Sequence, residues 1–171
     1  MDELRGEPRH VHVRRATVDD FQAMMRVANR LHPRWFDAFA IRSSLPLDLR
    51  IHRGFVAKEE GRVVGFVTYT SNEGEVKISW IGVDPGLHRH GIGTMLIRAV
   101  EEQLGGMGIE YLRVDTVAES TQYEPYEMTR AFYERMGFTV ERVREIESKD
   151  GGGRFHLATY LKRLSGVKSD G

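Results

Sequence analysis

Two stretches of this chain hold residues whose types and spacing suit chemistry. The first, Ile81 to Leu96, reads IGVDPGLHRHGIGTML. A short apolar, β-prone segment, Trp80 to Val83, runs into a loop carrying Pro85, Gly86 and the side chains His88, Arg89 and His90. Gly91 then opens a segment with apolar residues at Ile92, Met95, Leu96 and Ala99, the spacing of one helical face. A glycine-rich turn entering a helix leaves N–H groups unpaired at its start. With the helix dipole they seat an anion, most naturally a phosphate or pyrophosphate. Gly91 and Gly93 carry no Cβ, so a bulky anion has room to approach the backbone. The second stretch, Arg130 to Phe138, reads RAFYERMGF. Taken alone, its Phe132 and Tyr133 read as core aromatics of an amphipathic helix.

Several phosphate and metal readings compete for the first stretch. Gly86 and Gly91 have the spacing of a P-loop, but Ile92 stands where its lysine must be. A dinucleotide fingerprint would use Gly91 and Gly93 with Asp115 downstream. Leu96 replaces its third glycine, and the loop after Val83 is too long for the tight strand-to-helix turn. An ordinary glycine-opened helix is the plainest competitor. His88 and His90 form a pair without an evident third metal ligand, so no metal is expected. No G-x-S-x-G elbow and no H-E-x-x-H helix occurs.

The elements that must position these residues are read from pattern. Residues 1–10 are polar and expected to be mobile. His12 to Ala16 alternate as a first strand. Thr17 reads as an N-cap for a helix with Phe21, Met24, Met25, Ala28 and Leu31 on one face, ended by Pro33. A second short helix is expected from about Arg34 to Ile41, with Pro46 in a loop. Strands come next from Phe55, over Val63 to Thr70 and over Val76 to Val83, joined by turns at Glu60-Gly61 and Asn72 to Gly74. The Gly91 helix runs through Val100 and Leu104 to the glycines at 105, 106 and 108. Ile109 to Val117 is then a strand reached by a right-handed crossover. A polar loop at 118–126 precedes the helix of the second stretch. Phe138 to Glu147 and Phe155 to Leu164 form a final hairpin across 150–153. Residues 165–171 read as a mobile tail. The result is one α/β domain over 11–164, a central mixed, mostly antiparallel sheet of about 6 or 7 strands flanked by helices.

Composition narrows the partners. Lys plus Arg and Asp plus Glu number 25 each, so no basic field favours nucleic acid. The absence of cysteine excludes disulfides, thiolate metal sites and a cysteine nucleophile. No apolar run approaches the roughly 18 residues of a membrane helix. The charged N-terminus lacks the apolar core of a secretory signal. A cytoplasmic protein without membrane contact is expected, and a homodimer is left open.

Strand, V-x-P, then H-R-H-G-I-G at 88–93 opening a helix resembles the acetyl-CoA-binding motif [QR]-x-x-G-x-[GA] of the GNAT N-acetyltransferase superfamily. His88 departs from it, standing where Gln or Arg is usual. RAFYERMGF resembles the FYE-x-x-GF segment of the same superfamily, and the order of elements matches from about residue 11 to 164. The resemblance implies transfer of an acetyl group from acetyl-CoA to a primary amine of a small molecule, peptide or protein. It implies that the cofactor lies in a split between the Trp80–Val83 and Ile109–Val117 strands. Ile81, Gly82 and Val83 would line the pantetheine arm. His88, Arg89, His90, Gly91, Ile92, Gly93 and Thr94 would hold the pyrophosphate, and Thr129 and Phe132 would flank the cofactor. Tyr133 would protonate the departing thiolate. Tyr126 and Thr129 stand where the superfamily usually has Asn and Ala. A common glutamate position falls at Lys77, which leaves Glu75, Asp115, Glu119 or a water chain to take the amine's proton. His32 and Trp35 would line the acceptor pocket, with core packing the competing reading for Trp35 and Phe36, and Glu119, Glu124 and Glu127 would attract a cationic amine or simply face solvent. A non-catalytic acyl-CoA-binding module remains the alternative.

Overall fold

A computed structural model describes residues 10–149 and 151–164. The expectations for the two ends fall almost wholly outside these residues. The elements in order are β1 (Val11–Arg15), a 3-10 turn (Val18–Asp20), α1 (Phe21–Leu31), a π turn (Ala40–Ser44), α2 (Leu45–Ile51), β2 (Arg53–Glu59), β3 (Arg62–Asn72), β4 (Glu75–Val83), α3 (Ile92–Gly106), β5 (Tyr111–Val117), α4 (Pro125–Arg135), β6 (Thr139–Glu147) and β7 (Arg154–Arg163). They build one seven-stranded sheet in the order β1-β2-β3-β4-β5-β7-β6. Only the β4–β5 pair is parallel; the other neighbours are antiparallel.

Strand side chains alternate between faces, so β-branched and aromatic runs feed two cores at once. On one face, Val67, Val76, Ile78, Leu112 and Val114 pack against Ile92, Leu96, Ile97, Val100 and Leu104 of α3 and against Tyr133 and Phe138. On the other, Val56 and Phe66 pack against Met24, Val27, Ala28 and Leu31 of α1 and against Leu45 and Leu49 of α2. The sheet is therefore sandwiched, with α3 and α4 on one side and α1 and α2 on the other. Thr17 starts the α1 segment as expected, with a capping box closed by Asp20. The Asp20 carboxylate also takes both terminal nitrogens of Arg14 at 2.8 Å, which fastens β1 to the start of α1.

The second helical segment differs from the pattern reading. It is not a short helix over 34–41 with Pro46 in a loop. Arg34 to Phe36 form a loop, and the helix proper runs through the π turn into α2, with Pro46 inside the first turn of α2. A proline removes one N–H donor, and the wide π turn just before it absorbs the mismatch. α4 also begins earlier than expected, at Pro125, a residue whose fixed φ suits a helix start.

Candidate active site

The site begins with a break in the sheet. β4 and β5 pair only over Val76 to Ile78 and Leu112 to Val114. On its other side, β4 keeps pairing with β3, but the register jumps: Ile78 faces Tyr69, Trp80 faces Thr68, and Ser79 is bulged out. A bulge bends its strand, and from here β4 diverges from β5. A cavity of about 1000 Å³ opens where the ladder stops, lined by β4 from Ile78 to Val83 and by β5 from Val114 to Val117.

The direction of the β4 backbone in this cavity is set by its partner. Asp84 N donates to Val64 O at 2.8 Å, beyond the pairs Val83↔Gly65 and Gly82↔Phe66. In an antiparallel ladder alternate residues bond inward and outward. Ile81 and Val83 therefore turn their N–H and C=O groups away from β3, toward the split. Gly82 faces the opposite layer, where a Cβ would come within 2.8 Å of Leu31 and 3.0 Å of Phe66. Glycine here lets α1 lie close to β4.

The turn into α3 is tightly held. The Asp84 carboxylate accepts from Gly86 N at 3.0 Å and forms ion pairs with Arg30 and Arg62. Arg89 and Gly91 adopt left-handed φ of 67° and 77°. The first amide of the helix with a carbonyl partner is Met95, which bonds Gly91 O at 3.1 Å. The N–H groups of Ile92, Gly93 and Thr94 are the ones a helix start leaves free. A Cβ on Gly91 would meet nothing within 4 Å, so the open space an anion needs is there. Gly93 serves a different end from the one its spacing suggests. Its missing Cβ makes room for Phe132, whose ring lies 3.3 Å from that position. It brings α4 against α3.

Of the residues assigned to the cofactor by resemblance, Ile81, Gly82, Val83, His88, Arg89, Gly91, Ile92, Gly93, Thr94, Thr129 and Phe132 all line this one cavity, together with Tyr133. His90 is exposed and does not line it. His88 is turned inward: its Nε2–H donates to Val83 O at 2.8 Å, and its ring meets Trp35 edge-on at 5.0 Å. Its Nε2 is thus committed to the strand rather than to an anion. Arg89 reaches toward α4, with Nη2 3.7 Å from Met128 Sδ.

Tyr133 is 2% exposed and packs among the rings of Phe132, Phe138 and Tyr160 at 5.4, 5.6 and 6.1 Å. Burial pushes its pKa well above the ordinary phenol value. The hydroxyl therefore stays protonated throughout the neutral range. Arg130 secures this helix to β5 by donating to Val117 O at 3.0 Å.

The loop after α1 is tied across to the start of α4. Tyr126 Oη donates to Trp35 O at 2.5 Å, Tyr123 Oη to Arg34 O at 2.8 Å, and Trp35 Nε1 to Pro125 O at 3.2 Å. Arg34 and Glu124 add an ion pair at 3.2 Å. Burial pushes the Tyr126 hydroxyl up to about 12. Tyr126 thus fastens the strap, and Trp35 and His88 line the cavity beneath it.

The carboxylates considered for proton removal are engaged or distant. Asp115 lines the cavity, but it accepts from Lys77 at 2.8 Å, Arg144 at 3.2 Å and Thr159 at 2.5 Å. Glu75 lies 3.9 Å from Arg113, and neither it nor Glu119 lines the cavity. A carboxylate that pattern reading missed, Asp37, does line it. Its sequence signal is an acid before an apolar helical run, which a helix beginning at Arg34 would place within the helix. Among the described residues no group of three or more His, Cys, Asp or Glu could hold a metal ion, and no helix is long and apolar enough to cross a membrane.

Known proteins resemble this chain in sequence and in fold. The model of the family described as "Acetyltransferase (GNAT) family" matches residues 18–138. S-(2-succino)cysteine N-acetyltransferase from Bacillus subtilis (strain 168) is 28% identical over 123 residues, which cover 68% of each chain. The ribosomal-protein-S18-alanine N-acetyltransferase from Escherichia coli superposes with a TM-score of 0.73 at 19% identity, over 94% of this chain and 98% of its own. The structure of yncA from Salmonella typhimurium with its cofactor acetyl-CoA gives 0.67 at 19% identity, over 90% and 94%. At these identities the structural likeness is one of fold.

Proposed function

Because the chain belongs to the acetyltransferase (GNAT) family, we propose that it is an N-acetyltransferase, moving an acetyl group from acetyl-CoA to a primary amine by direct attack of the nitrogen on the thioester. One observation carries this reading. The outward-facing backbone of Ile81 and Val83 leads from the anion-ready turn at Gly91 into a cavity that Tyr133 also lines. A single elongated ligand with a phosphate at one end and amides along its arm matches that sequence of features.

Acetyl-CoA supplies an acyl group activated as a thioester. The chain's own residues supply the rest. Ile81 offers its main-chain N–H and C=O, and Val83 its N–H, to the amides of the arm, as an added strand would use them; the Val83 carbonyl already accepts from His88. The N–H groups of Ile92, Gly93 and Thr94 would hold the pyrophosphate, and Arg89 would add positive charge. A β4 N–H directed at the thioester oxygen favours the negative charge that develops there. As the N–C bond forms and the C–S bond breaks, Tyr133 gives its proton to the departing thiolate and regains one from solvent. With Asp115 already engaged, the amine's proton leaves through water.

The acceptor is assigned only as a primary amine, small-molecule or peptide. The charge balance of the chain favours no nucleic acid. The test is thiol release from acetyl-CoA across a panel of amines and amino-terminal peptides, with melting curves in acetyl-CoA, ATP and NAD. Release with at least one amine, and stabilisation by acetyl-CoA beyond that by ATP or NAD, is expected. Stabilisation without release from any acceptor would favour the non-catalytic acyl-CoA-binding module. Equal stabilisation by ATP would overturn the cofactor.

A further inference from the structure

The charges around the cavity are unevenly matched. Near the split, Asp115 is neutralised by Lys77 and Arg144. Arg34 is paired with Glu124, and Arg154 with Glu145 and Glu147. Two cations that line the cavity, Arg89 and Arg135, have no carboxylate partner among the described residues. Arg89 stands at the α3 turn and Arg135 at the end of α4, where an anionic cofactor would suit them. The carboxylate left over is Asp37. It is exposed, and its Oδ1 accepts from Ala40 N at 2.7 Å. No cation is paired with it among the described residues. It comes after Trp35 and Phe36 in the strap loop and lies close enough to Tyr126 for its charge to help raise that hydroxyl's pKa. The same end of the cavity carries the rings of Trp35, Tyr123 and Tyr126, and one of them, Trp35, already holds a guanidinium, that of Arg34, at 5.0 Å.

We propose that Asp37 is the counter-ion for a positively charged group of the acceptor, so that the enzyme prefers amines carrying a second cationic centre, such as diamines. This rests on the acetyltransferase reading above. The second charge matters because the attacking nitrogen must be neutral to offer its lone pair, whereas a carboxylate stabilises the protonated form. One nitrogen cannot meet both demands in the reactive complex. An uncompensated carboxylate in the cleft wall also draws a cationic substrate in on entry, and aromatic faces beside a carboxylate suit an alkylammonium.

The test compares 1,5-diaminopentane, pentylamine and 5-aminopentanoate at saturating acetyl-CoA, in the parent and in Asp37→Asn. Asparagine keeps the helix cap that Asp37 gives to Ala40, and a melting curve checks that it does. The parent is expected to favour the diamine in kcat/KM. Asp37→Asn should cut that preference by about 1.5- to 5-fold, through KM, as expected for an exposed ion pair. Pentylamine should be nearly unaffected, and added salt should erode the parent's preference. An equal fall in kcat for all three amines would overturn the assignment and place Asp37 in proton transfer. Unchanged selectivity, or a parent that prefers 5-aminopentanoate, would also overturn it while leaving acetyl transfer intact. No release by the parent with any amine would overturn acetyl transfer itself, and this inference with it.

Discussion

Replacing Tyr133 by phenylalanine separates chemistry from packing at one atom. The change removes a hydroxyl and leaves the ring among Phe132, Phe138 and Tyr160. No hydrogen bond to a described residue engages that hydroxyl, although the residue is 2% exposed. A hydroxyl with a buried protein partner would take about 1 kcal/mol of stability with it. Here there is no such bond to lose, so the melting temperature is expected to hold or rise slightly. Turnover should behave differently. A general acid contributes roughly 10²- to 10⁴-fold, or about 2.7 to 5.4 kcal/mol of barrier. The expected signature is a large fall in kcat beside an unchanged melting curve and little change in acetyl-CoA affinity. The pH profile adds a second reading. Burial raises the Tyr133 pKa above its ordinary value of about 10. The acid form is lost only above that raised value, so this group should cause no alkaline fall in the parent's rate below about pH 10. The assays are thiol release with an accepted amine, acetyl-CoA titration and calorimetry on both proteins. Near-parental turnover in a folded Tyr133→Phe protein would remove the tyrosine from the mechanism. A lowered melting temperature with turnover kept would make it a packing residue.

Two other outcomes are expected from the structure. Gly91→Val places a β-branched residue at a φ of 77° with nothing crowding its Cβ; it should cost about 1–2 kcal/mol of stability from backbone strain and weaken acetyl-CoA binding, and unchanged affinity by titration would place the phosphate seat elsewhere. Asp20 has its pKa held below the ordinary carboxylate range, chiefly by the Arg14 hydrogen bonds. Its stabilisation is full above the unfolded value of about 3.9 and is lost as pH falls through the lower folded value. Asp20→Asn should melt lower than the parent at pH 7, and acid melting curves should show the gap closing below about pH 4.

What the sequence by itself determined was the set of elements with strong local signals. Alternating β-branched residues placed the strands, and the glycines at 91 and 93 before an apolar helical face placed the start of α3. RAFYERMGF placed α4. These are short-range properties, in which each residue's conformational preference agrees with its neighbours'. The tertiary structure decided everything that depends on partners far away in the chain. The bulge at Ser79 exists only in the register of β4 against β3, and it is what lets β4 leave β5 and open the cavity. Gly93 and Gly82 look alike in sequence, yet one admits Phe132 and the other Leu31. His88 reads as a phosphate donor until Val83 and Trp35 are seen to hold it. Asp115 reads as a free base until Lys77, Arg144 and Thr159 converge on it. Asp37 is not legible as a site residue in the sequence, because Trp35 and Phe36 suit a helical face as well as a loop. Only the ties from Arg34 and Trp35 to Tyr123, Pro125 and Tyr126 hold that segment as a loop and leave Asp37 to cap the turn at Ala40.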